Sequence, residues 1–217
     1  MSDDLHYHRR HLPHYYAPNA VYFVTSRLAG SLPQSARAQA REERRSIEQQ
    51  LRTKAKSDAA AVDFELKLAW LDKILEKADK NICWLSDPRI ADLVAEAIKY
   101  RDGKDYDLMA YSIMPNHMHL VFGVGVHDML EPTGQIVNLS NTPLSKIMHS
   151  LKRYTATEAN RILQRSGSFW QDESYDHIVR SGEELARIIE YVLNNPVKAG
   201  FVKKWSDWKW TYLKYQI

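Results

Sequence analysis

A single cysteine among 217 residues excludes a disulfide within the chain and a cysteine-only metal site. Its setting in "NICWL" predicts that Cys83 serves as buried packing. No apolar run approaches the ~20 residues that span a bilayer. The N-terminal "MSDDLHYHRRHLPHYY" is acidic and aromatic where a signal peptide needs an apolar stretch, so a cytosolic protein with no membrane partner is expected. Charge of one sign is also scarce. A formal net charge of +3 permits nucleic-acid binding without demanding it. No internal repeat is present.

What the chain does have is an apolar fraction of 44%, a charged fraction of 26%, and 12 tyrosines with 6 tryptophans. That balance belongs to a soluble globular protein, with some aromatic residues available to stack on bases. The length suits one core, so residues 1–217 are expected to form a single domain, with a helical insertion at 35–80 and a basic, aromatic tail at 203–217.

The segment Ala20–Gly30, "AVYFVTSRLAG", reads as a strand ending in a turn. Between Ser35 and Lys80 two helices are expected, the second with an apolar stripe at Phe64, Leu68, Leu71, Ile74 and Leu75. Asp87 is placed to cap a helix beginning at Pro88. "KDYDLMAYSIM" and "HMHLVFGVGV" read as strands joined at Pro115-Asn116, and "NTPLSKIMHSLKRYTATEANRILQ" as a helix with Leu144, Ile147, Met148 and Leu151 inward. A linker follows, then "SGEELARIIEYVLNN", with Ser181 and Glu184 as a capping box and Pro196 as its end. This order predicts an α+β sandwich, an antiparallel sheet with helices on one face.

Within "MPNHMHLVFG", alternation on a strand puts His117 and His119 on one face, and Met118, Leu120 and Phe122 on the other. Two neutral imidazoles about 6.6 Å apart along a strand can converge on one cation and leave positions for water or phosphate oxygens. Zinc usually takes a third Cys, His or acidic ligand, and His127, Asp128, Glu131 and His149 are candidates. The pair by itself is compatible with a zinc hydrolase and with a magnesium nuclease. On the last helix, Leu185, Ile188, Ile189, Val192 and Leu193 form the apolar stripe, while Tyr191 and Asn195 share its flank one turn apart. A phenol attacking a phosphodiester and an amide able to help hold a metal are complementary chemistry. Tyr154 borders an apolar row and is read as packing.

"RLAGSLP", "AYSIMPNHMHLVF", "LSKIMHSLKRYTATEAN", "FWQDESYDHIVRSGEEL" and "YVLNNPVKAGFV" carry a resemblance, from about Ala20 to Val202. The chain resembles the single-tyrosine, His-hydrophobe-His transposases of small bacterial insertion sequences, and more closely the REP-associated tyrosine transposases. The resemblance implies a ferredoxin-like antiparallel sheet with flanking helices. It places the metal-binding doublet on His117 and His119, the nucleophile on Tyr191 rather than Tyr154, and a third ligand on Asn195. Asn195 stands where the mobile transposases carry glutamine, which favours the REP-associated branch.

Implied with these are Mg2+ or Mn2+ and a single-stranded DNA substrate with a hairpin, here repetitive extragenic palindromes. The implied chemistry is cleavage and rejoining through a 5′-phosphotyrosine link. Arg9, Arg10, Lys146, Lys152, Arg153, Lys198, Lys203 and Lys204 are candidate phosphate contacts. Trp170, Trp205, Trp208 and Trp210 are candidate stacking residues, some of them expected in the core. His177 is expected near the site without an assigned role. A monomer is expected, with the 35–80 insertion as the alternative route to self-association. The competing functions are a non-catalytic hairpin-binding protein and a zinc hydrolase.

Overall fold

The computed structural model describes residues 6–9, 13–16, 19–32, 68, 70, 71, 73–75, 81–125, 142–172 and 174–214. The chain divides into two compact units, Met1–Leu28 with Trp84–Ile217, and Ala29–Cys83. The smaller unit contains the expected insertion. Of its apolar stripe, Leu68, Leu71 and Ile74 are helical and buried, and Leu75 is helical and half-buried. Phe64 lies outside the described residues. Cys83 is half-buried rather than enclosed.

The larger unit holds β1 (His6–Arg9), β2 (Pro13–Tyr16), β3 (Val21–Arg27), α1 (Pro88–Arg101), β4 (Asp107–Met114), β5 (His117–Gly123), α2 (Pro143–Ile162), β6 (Tyr175–Ile178), α3 (Gly182–Lys198) and β7 (Thr211–Leu213). β1 and β2 form a separate antiparallel hairpin. The other five strands form one antiparallel sheet in the order β6-β3-β5-β4-β7. Through β3-α1-β4-β5-α2-β6 this is the split βαβ arrangement of a ferredoxin-like fold, extended at one edge by β7.

Local chemistry sets the helix starts. The Asp87 carboxylate accepts from the Arg89 N–H at 3.0 Å with Pro88 in the first turn, and Thr142 Oγ1 accepts from the Ser145 N–H at 3.2 Å ahead of Pro143. Each satisfies a donor that has no partner inside its helix. The expected inward residues of α2, Leu144, Ile147, Met148 and Leu151, are all buried.

Three further expectations are corrected. The linker before α3 contains a strand, β6, paired with β3 from Tyr22↔Ile178 to Thr25↔Tyr175. The helices do not share one face. α1 lies on the Leu120 and Phe122 side, where Tyr106 packs on Phe122 and donates to the Ile98 carbonyl. α2 joins it through Arg101 and Ser150, while α3 covers the histidine side. Finally, α3 continues through Pro196 to Lys198. Proline removes one backbone donor, but only from the last turn, and the Asn195 carbonyl still accepts from the Ala199 N–H at 3.0 Å.

Candidate active site

Antiparallel register assembles the site. His119 on β5 lies between Thr25 on β3 and Ser112 on β4, and His117 lies between Arg27 and Met114. Directly paired residues project from the same face of the sheet. The His119 ring stacks on Phe23 at 5.6 Å and is fully enclosed, while His117 is 5% exposed.

Each ring is oriented by a neighbour. The Asn116 side-chain carbonyl accepts from His117 Nδ1–H at 2.6 Å, and Thr25 Oγ1 lies 2.8 Å from His119 Nδ1. Burial pushes the His117 imidazole down to about 3. Burial, followed by the neighbouring His117, holds His119 well below its ordinary value. Both rings are therefore neutral near pH 7. A neutral His117 with its proton on Nδ1 presents an Nε2 lone pair. The two Nε2 atoms stand 3.2 Å apart, and the Asn195 amide lies 3.2 Å from the same His119 nitrogen.

Two imidazole nitrogens and an amide converging in a buried volume fit one divalent cation with further positions open to oxygen ligands. The amide carries the required carbonyl oxygen at its other end. Among the described residues no group of three His, Cys, Asp or Glu side chains is arranged to hold a metal ion. Of the candidates for a third zinc ligand, His149 is exposed on α2, and His127, Asp128 and Glu131 lie outside the described residues.

α3 delivers the phenol. Tyr191 is half-buried, its ring 5.3 Å from the His119 ring and 6.0 Å from Phe23, nearly perpendicular to the latter. Asn195 follows by one turn and is buried. The four expected site residues thus come together from β5 and α3. Tyr154 does not join them. It is 49% exposed, with the Arg101 guanidinium 5.8 Å from its ring, so the packing expected of it is corrected to a cation–π contact at the surface.

The candidate phosphate contacts separate by location. Lys198 ends α3, Lys203 and Lys204 follow it, and all three are exposed. Lys146 and Arg153 are exposed on α2, across the sheet from the histidines. Lys152 donates to the carbonyls of Gln171 at 2.5 Å and Asp172 at 2.9 Å. Arg9 lies in β1, and Arg10 lies outside the described residues. Trp170 is core, its indole N–H donating to Thr155 Oγ1. Trp208 and Trp210 donate to the Ile113 carbonyl and the Asp92 carboxylate, and Trp205 is half-buried.

Sequence reasoning missed Thr25 and Asn116. Asn116 was legible as a turn amide beside a histidine. Thr25 needed the strand register.

Comparison with known proteins gives two curated relatives. One is a Haemophilus influenzae protein named after the REP-associated tyrosine transposases, 24% identical over 106 residues, 49% of this chain and 58% of that protein. The other is the REP-associated tyrosine transposase of Escherichia coli K12, 24% identical over 111 residues, 51% of this chain and 56% of that protein. The chain is similar to REP-associated tyrosine transposases. The matches span less than three-fifths of the length of these relatives. A solved REP-associated tyrosine transposase bound to a REP hairpin aligns over 97% of this chain and 82% of its own, with 18% identity and a TM-score of 0.43. No family model matches. Among the described residues no helix is long and apolar enough to cross a membrane.

Proposed function

We propose that this chain is an enzyme that cuts and rejoins single-stranded DNA beside hairpins, with Tyr191 as nucleophile. The observation that carries the reading is the convergence of His117, His119 and Asn195 with the Tyr191 ring against His119. The names of the relatives point to repetitive palindromic DNA as the substrate class.

His117, His119 and Asn195 would hold Mg2+ or Mn2+. When bound, such an ion supplies positive charge to the non-bridging oxygens of the scissile phosphate. The Tyr191 phenolic oxygen attacks phosphorus and its proton passes to solvent. The bond from phosphorus to the 3′-oxygen breaks, and that oxygen leaves as a hydroxyl after taking up a proton. The 5′-phosphate is then esterified to Tyr191. A 3′-hydroxyl attacking this ester reverses the exchange and frees the phenol. One phosphate ester replaces another at each step, so the cycle needs no nucleotide cofactor. Lys198, Lys203 and Lys204 at the end of the tyrosine helix suit the backbone of the bound strand. Tyr191 and His119 touch within one chain, which supports a monomer as the working unit.

The test is covalent capture on labelled single-stranded DNA carrying a repetitive palindrome, with Mg2+ or Mn2+, comparing native protein with Tyr191→Phe and Tyr154→Phe. An adduct in native protein and Tyr154→Phe, absent in Tyr191→Phe and abolished by chelator, is the expected result. Tight hairpin binding with no metal-dependent adduct would replace the enzyme with a DNA-binding protein. Stoichiometric zinc retained through dialysis would favour a hydrolase instead.

A further inference from the structure

A third buried histidine lies on the same sheet face as His117 and His119. His177 on β6 pairs with Phe23, the residue whose ring meets both His119 and Tyr191. Its Nε2–H donates to Glu184 Oε1 at 3.0 Å, and both side chains are nearly enclosed, 6% and 4% exposed. The other carboxylate oxygen accepts from the Arg180 N–H at 2.6 Å. The sequence suggested a reciprocal capping box. The structure keeps one half of it: Ser181 Oγ accepts from the Glu184 N–H at 3.1 Å, but the glutamate turns inward to the strand. A helix start can be capped without burying a carboxylate, so this placement calls for another reason.

Helical geometry supplies one. At 100° per residue, Tyr191 lies about 20° to one side of Glu184 and Asn195 about 20° to the other. Glu184, Tyr191 and Asn195 therefore form one line along α3, tied to the sheet at both ends: Glu184 to His177, Asn195 to His119. Tyr191 sits between the two ties. A rotation of α3 that kept its apolar contacts would break the buried pair at one end and the amide contact at the other. Apolar packing tolerates small rotations. A hydrogen-bonded buried ion does not, because an unpaired carboxylate in an enclosed site is costly.

We propose that His177 and Glu184 are positioning residues that fix the rotation of α3, and so aim Tyr191 and Asn195 at the histidine pair. This rests on the tyrosine-nuclease reading above.

The experiment measures single-turnover adduct formation at saturating hairpin DNA, hairpin affinity and thermal unfolding for native protein, His177→Phe, His177→Gln and Glu184→Ala. The assays are run at temperatures where each variant is fully folded. The expected result is a fall of at least tenfold in adduct rate for His177→Phe and Glu184→Ala, with hairpin affinity within about twofold of native. His177→Gln, which restores an N–H donor near the Nε2 position, should recover most of the rate. Native rates in folded His177→Phe and Glu184→Ala would overturn the positioning role while leaving the nuclease reading intact. Loss of rate and affinity together in folded variants, not rescued by His177→Gln, would make the pair a general support of the DNA-binding face and overturn its specific role in aiming Tyr191 and Asn195. A native protein that forms no adduct would sink the reading and the positioning role together.

Discussion

His117 and His119 owe their chemistry to enclosure. Buried imidazoles stay neutral and keep lone pairs available for a metal, at the expense of acid stability. The sign follows from proton counting. Between the ordinary histidine value of 6.5 and about 3, the unfolded chain protonates His117 and the folded chain does not. The His117 contribution is therefore fully present above pH 6.5 and lost as pH falls toward 3, at up to about 1.4 kcal/mol per pH unit, and His119 acts in the same direction. Urea unfolding at pH 7.5, 5.5 and 4.5 should show the doubly substituted His117→Gln, His119→Gln protein gaining on native as the pH drops. A constant gap would mean that the imidazoles are solvated. Asn195→Ala should weaken Mn2+ binding by roughly tenfold or more while leaving hairpin affinity near native, as titration by electron paramagnetic resonance would show. These residues were readable because i+2 on a strand and i+4 on a helix are local spacings. Thr25 beside His119 and His177 beside Glu184 were not, because each contact depends on the pairing of distant strands.

Elements with long patterns were legible, and short ones were not. β4 and β5 run for eight and seven residues as nearly continuous buried, largely apolar segments, and α1, α2 and α3 sustain their stripes behind side-chain caps. β6 offers four residues, "YDHI", whose two middle side chains, Asp176 and His177, are polar yet buried on opposite faces. β1, β2 and β7 are shorter still or equally polar. Tertiary pairing, not local propensity, makes these strands. Leu120, fully buried on the central strand β5 opposite the histidine face, gives the element-scale prediction. Leu120→Ala should cost about 2–5 kcal/mol in denaturant unfolding. A loss below about 1 kcal/mol would mean that the helix layer is loosely packed.

At the scale of the whole molecule, a tyrosine lying against its own histidines predicts catalysis within one chain. An equimolar mixture of Tyr191→Phe and His117→Ala should form no adduct. Recovered activity would require the tyrosine helix to act in a second subunit. Hairpin affinity should fall with salt, and replacing Lys203 and Lys204 by alanine should reduce the logarithmic salt slope by roughly one for each phosphate that is no longer neutralised. An unchanged slope would move the DNA path away from the end of α3. The sheet order itself was legible only through the resemblance, since no local pattern states which strand lies beside which.

The central place of β5 has a consequence in time as well as in space. Its backbone is bonded on both sides, to β3 and to β4, so its amide hydrogens exchange with solvent only when the sheet as a whole opens. α3 lies on one surface of that sheet, and its amides can exchange through a local opening that leaves the strands paired. The site therefore joins two imidazoles on the doubly bonded central strand to a phenol on a packed helix, and slower amide exchange is expected in β5 than in α3.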